Sequence, residues 1–142
     1  MTQVMRINAR LFRDMCFALE TERGHTLPLD MTEESGGTDE GPCPMEALLM
    51  ALAGCAGMGV ITILRKMRQD VTDYTIHVRG ERSELPPHIF TSIILVHSFF
   101  GHNIQSSAVQ RAIELNEERY CSVGAMLNKA TMISHSFQIV EM

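Results

Sequence analysis

Four cysteines, Cys16, Cys43, Cys55 and Cys121, carry the nucleophilic chemistry open to this 142-residue chain. They stand far apart and form no CxxC pair. Six histidines, His25, His77, His88, His97, His102 and His135, are scattered singly, mostly where strands are expected. Zinc sites normally draw on paired ligands at short spacing, so no structural metal is expected. What remains is thiol chemistry: oxidation by a peroxide, or exchange between two cysteines that meet in the fold.

The surroundings separate the four thiols. Cys16 falls in a strand pattern and reads as a small hydrophobe; Cys43, between Pro42 and Pro44, reads as an incidental exposed thiol. Cys55 lies inside "LMALAGCAGMGVITIL", where an inert buried thiol is the simpler account, since cysteine is among the most buried residues. Cys121 follows "NEERY", where a helix can break, and precedes the helical run "SVGAML". At a helix start it would face unpaired N–H groups that favour the thiolate; within one continuous helix it would simply pack. The residues alone leave both open.

The elements that must position these thiols can be read in order. "VMRINARLF", "MCFALE" and "TLPLDM" alternate as strands, with "TERGH" as a turn. The glycine-rich loop "TEESGGTDEGPCP" then leads into a helix with Glu46 in its first turn, expected to run to about Arg68. Two strands follow in "YTIHVRGER" and "IFTSIILVHSFF", then helical patterns in "SSAVQRAIELNEERY" and "CSVGAMLNKA", and a closing strand in "MISHSFQIVEM". Strands and helices are grouped rather than alternating, which predicts an α+β class with mostly antiparallel sheet.

Length suggests a single domain over residues 1–142, large enough for a core without staples. A net charge of -5 gives no basic footprint, so nucleic acid is not an expected partner. The start, "MTQVMRINARLF", lacks the pattern of a secretory signal, and cytoplasm is the expected location. The uncharged run Ala47–Leu64 is 18 residues long and raises a membrane reading. Gly54, Gly57 and Gly59 at its centre, with no second span after it, argue against that reading. A helix apolar all round needs a larger core or a partner, so a dimer is expected.

Three segments together resemble the OsmC/Ohr family, named for osmotic induction and organic hydroperoxide resistance. They are "PMEALLMALAGC" (Pro44 to Cys55), "GERSELPPHIFTSIIL" (Gly80 to Leu95) and "ERYCSVGAML" (Glu118 to Leu127). The resemblance covers nearly the whole chain and is similar to the YhfA-like branch through "MRQDVTDYTIHVRGERSE" and "YCSV". It implies an OsmC/Ohr-like intertwined homodimer of α+β subunits, with two central buried helices and active sites at the dimer interface. Cys55 occupies the position of the attacking thiol and Cys121 that of the resolving thiol. The implied reaction passes through a Cys55 sulfenic acid to a Cys55–Cys121 disulfide, reversed by an external dithiol of lipoyl type. No bound cofactor is implied.

The family also uses an arginine from the N-terminal strands and a glutamate that directly follows the proline. Here Met45 follows Pro44, and the carboxylate is Glu46, rotated by about 100° around the helix. Arg13, in "LFRDMCF", is the best match for the arginine, and Arg23, in "TERGHT", the second. Three functions follow in order of preference: a thiol peroxidase for organic hydroperoxides, a small-ligand or redox-sensing module with an apolar pocket, and a structural dimer with inert thiols.

Overall fold

The computed structural model describes residues 2–142. Strands β1 (Ile7–Arg13), β2 (Cys16–Thr21) and β3 (Thr26–Leu29) lead into a 3-10 turn (Glu33–Ser35) and the long helix α1 (Pro44–Lys66). Then come β4 (Asp70–Arg82), β5 (Phe90–His102), α2 (Ser106–Leu115), a π-helical turn (Asn116–Tyr120), α3 (Ser122–Leu127) and β6 (Met132–Glu141). The order is the one the sequence predicts, and the class is mixed α+β. The chain divides into two compact units, one ending at Leu48 and the other beginning at Leu49.

The N-terminal unit is an antiparallel meander in the order β1-β2-β3. Asp14 (φ 48°) and Gly24 (φ 90°) supply the left-handed backbone that its two tight turns need. Strand β1 is exposed along its whole length, and Ile7, Leu11, Phe12, Phe17 and Leu27 are exposed apolar side chains. The loop after β3 is organised around the buried Asp30. Its carboxylate accepts from Met31 N–H at 2.7 Å, Thr38 Oγ1 at 3.0 Å and Glu40 N–H at 3.0 Å. The Glu40 N–H above all holds the Asp30 pKa below the usual carboxylate value, against the effect of burial.

Helix α1 begins at the end of this loop. Pro44 fills its first position, where a missing N–H costs nothing. The Cys43 carbonyl accepts from Ala47 N–H at 3.0 Å, and Glu46 Oε1 accepts from Cys43 N–H at 3.0 Å. This is the glutamate half of a capping box.

The C-terminal unit contains a sheet in the order β4-β5-β6. Strands β4 and β5 pair antiparallel, whereas β5 and β6 pair parallel. The parallel pair is the exception to the expected antiparallel sheet, and it has a cause. Parallel neighbours need a crossover, which α2, the π turn and α3 provide. Alternation places Tyr74, Ile76 and Val78 on the same side as Leu95, His97 and Phe99, and as His135, Phe137 and Ile139. The core joins Val60, Ile63 and Leu64 of α1 to Phe99 of β5 and to Val109 and Ile113 of α2.

Helix α1 has the length and composition of a membrane span. Leu52, Ala56, Val60, Ile63 and Leu64 form one stripe of it, buried in protein. The other side is not covered: Met50 is 57% and Met58 73% exposed. The expectation of a helix buried all round therefore holds, within one chain, for one face only.

Candidate active site

Cys121 caps α3. Its backbone is extended (φ -80°, ψ 90°), and its Sγ accepts from Gly124 N–H at 3.4 Å. The helix break after "NEERY" is therefore present, and the continuous-helix reading is not. Immediately before it, the π turn closes with Cys121 N–H donating to Asn116 O at 2.8 Å. The expected stabilisation of the thiolate is outweighed, however. Burial pushes the Cys121 thiol up to about 11, Gly124 N–H pulls it down, and Cys55 and Glu117 add to the rise. One N–H does not compensate for the loss of water.

The thiol beside it is Cys55, half-buried on α1. What brings them together is a clamp between α1 and the π turn. Asn116 Nδ2 donates to the Ala56 carbonyl at 3.1 Å, one residue past Cys55. Gly59 leaves the space in which the Asn116 carboxamide lies. All four cysteines are unpaired thiols.

Two spaces open at this pair. A groove of about 620 Å³ runs along α1 past Cys55, Met58, Ile63, Met67, Leu115 and Tyr120. A smaller cavity of about 40 Å³ is lined by Leu52, Glu117, Cys121, Ile133 and His135. The first suits an apolar chain. The second suits a water-sized guest.

Three side chains that sequence reasoning did not single out, His97 buried and Tyr74 and His135 partly so, form a hydrogen-bonded chain leading to the smaller cavity. Tyr74 Oη lies 2.6 Å from His97 Nδ1, and His97 Nε2 lies 2.9 Å from His135 Nδ1. His135 Nε2 then lies 3.6 Å from Glu117 Oε2. Burial first, and then His135, lowers the His97 pKa to about 4. Burial also lowers that of His135, opposed by Glu117, and raises that of the Tyr74 phenol. A signal was present in the sequence: His97 and His135 occupy inward positions in strict strand alternation, where Val or Ile would satisfy a core.

The two charged residues expected to assist belong to the N-terminal unit, and each has its own partner. Arg13, at the end of β1, makes a two-pronged ion pair with Glu40, with Nε to Oε2 at 2.9 Å. The Glu46 carboxylate is held at the start of α1 by Cys43, which lowers its pKa. Arg23 is exposed in the β2–β3 turn. Cys16, Asp30 and Glu40 place one potential ligand atom each within 4.8 Å of one another. Their carboxylates are already occupied by loop N–H groups, Thr38 and Arg13, so this cluster holds the loop together.

This α+β fold is shared with OsmC-like proteins of known structure. The family model described as OsmC-like protein matches residues 37–136, and the chain belongs to this family. It is 38% identical over 136 residues to protein YhfA of Escherichia coli K12, covering 96% of this chain and 98% of that one. A hypothetical protein from Aquifex aeolicus VF5 is similar in structure, at 29% identity and a TM-score of 0.87 over 99% of each chain. An organic hydroperoxide resistance protein OsmC from Legionella pneumophila shares the fold, at 15% identity and a TM-score of 0.72 over 96% of this chain and 97% of that one.

Proposed function

We propose that the protein is a thiol-dependent peroxidase that reduces organic hydroperoxides as a cytoplasmic homodimer. The observation that carries this reading is Cys121 beside Cys55, a thiol that lines an apolar groove. Cys55 attacks the peroxide oxygen, releasing an alcohol and becoming a sulfenic acid. Cys121 then condenses with it, releasing water and forming the disulfide. An external dithiol, lipoyl-linked in character, reduces both, so no bound cofactor or metal is needed.

Uncovered apolar surface supports the dimer. A three-stranded sheet exposing Ile7, Leu11, Phe12 and Phe17, and a helix exposing Met50 and Met58, suit burial against a second copy. In this reading the unpaired thiols match a reducing compartment.

A second reading has its own support. Arg13 is paired with Glu40, and Glu46 caps α1, so two groups that would assist peroxide attack are otherwise engaged. That favours a ligand-binding or redox-sensing module with an apolar pocket at the dimer interface and slow turnover.

Intact-mass measurement after one equivalent of cumene hydroperoxide separates the two. In the peroxidase, the parent loses about 2 Da, Cys121→Ser gains about 16 Da and Cys55→Ser does not change. A parent whose mass stays constant with both thiols reduced moves the binding module to first place.

A further inference from the structure

The chain Tyr74–His97–His135 runs from β4 through β5 to β6 and stops at Glu117, on the wall of the cavity that Cys121 also lines. Its proton order follows from the end that is a carboxylate. Carboxylate oxygens accept, so Glu117 is faced by His135 Nε2–H. His135 Nδ1 is then bare and accepts from His97 Nε2–H. His97 Nδ1 is bare in turn and accepts from the Tyr74 hydroxyl. In this arrangement each ring nitrogen and the phenol faces a complementary group. Reversing it would aim a bare nitrogen at Glu117.

Two imidazoles and a phenol in a sheet otherwise lined by Leu95, Phe99, Phe137 and Ile139 are costly unless fully paired. The chain ends at Glu117, which is half exposed, whereas His97 is wholly buried. Burial raises the Cys121 thiol pKa, and Glu117 lines the same cavity as Cys121.

We propose that Glu117 is the general base for Cys121, and that the His135–His97–Tyr74 chain is a positioning chain that holds Glu117 toward the cavity. The proposal rests on the reading of Cys121 as the resolving thiol. As the Cys121 sulfur attacks the Cys55 sulfenic sulfur, its S–H proton passes to Glu117. The S–O bond breaks, the S–S bond forms, and the proton is handed to the departing hydroxide, which leaves as water. The two sulfurs exchange the oxidation already delivered by the hydroperoxide, so no further oxidant is needed. When a dithiol later reduces the disulfide, Glu117 takes the proton of the attacking thiol and passes it to the departing Cys121 sulfur. The titratable groups facing this site are Cys55 from α1, Glu117 from the π turn and His135 from β6, with His97 of β5 and Tyr74 of β4 behind.

The test resolves the two half-steps in time. Rapid-quench samples after one equivalent of cumene hydroperoxide are trapped with dimedone and weighed intact between pH 5 and 9. In Glu117→Gln, sulfenic acid should form at the parent rate while disulfide formation slows by about 100-fold or more. Its residual rate should rise about tenfold per pH unit, following thiolate ionisation. His135→Gln should keep the fast step and slow disulfide formation by about tenfold, because Glu117 loses the group that faces it. Disulfide formation in Glu117→Gln at the parent rate and with the parent pH profile overturns the proposal. So does equal slowing of both half-steps, which would mark a structural role. A parent that forms sulfenic acid but no disulfide at any pH defeats instead the assignment of Cys121, a distinct outcome.

Discussion

Gly59 on α1 and Asn116 in the π turn are packed so closely that no side chain fits at position 59: a Cβ there would overlap the Asn116 carboxamide. Asn116 is itself buried and bonded to the Ala56 carbonyl, and its Oδ1 has no donor. The glycine therefore sets the approach of α1 to the turn that carries Cys121. Gly59→Ala should destabilise the chain by about 1–3 kcal/mol through overpacking. It should also slow formation of the Cys55–Cys121 disulfide. Urea denaturation checks the first effect and quenched mass measurement the second.

Glu46 is expected to act on the helix start. Glu46→Gln keeps the shape of the cap but loses the carboxylate that Cys43 N–H stabilises. The expected result is a small loss of stability with peroxide consumption little changed. A rate collapse of about 100-fold in a folded protein would instead make Glu46 part of the peroxide chemistry.

Cys16 and Cys43 should be dispensable to turnover. Cys16 is buried at the start of β2, and burial pushes its thiol pKa up. Cys43 serves through its backbone, which caps α1. The double serine variant should consume hydroperoxide like the parent in a coupled dithiol assay. Near-complete loss would show that the reactive pair is a different one.

His97 gives the fold an acid limit. Its pKa in the folded state is about 4, below the unfolded value of about 6.5, so it stays neutral when native and binds a proton when unfolded. Stability is then full above pH ~6.5 and is lost as pH falls toward 4, by on the order of 3 kcal/mol. Urea midpoints across this range should show the slope, and His97→Gln should flatten it.

A dimer is expected at micromolar concentration in analytical ultracentrifugation. The exposed side chains of β1 and the Met50–Met58 side of α1 are the surfaces to be covered. Met58→Glu should shift the equilibrium toward monomer. A parent that remains a well-folded monomer would overturn the expected assembly.

By itself the sequence determined the element order and the class, because hydrophobic period and turn residues act locally. "NEERY" before Cys121 allowed a helix start there without excluding a continuous helix, and the uncharged setting of Cys55 was compatible with an apolar site or an inert thiol. Tertiary structure decided the rest. The parallel pairing of β5 with β6 depends on a crossover of three helical segments, which no local pattern specifies. That pairing is what puts His135 against His97, residues 38 positions apart. The Cys121 pKa was likewise out of reach, because burial is set by Leu52 and the rest of the cavity wall, not by the helix start. Arg13 was the best match for the arginine that the family resemblance implies. In the fold it pairs with Glu40, because the loop built around Asp30 carries that carboxylate back to the end of β1.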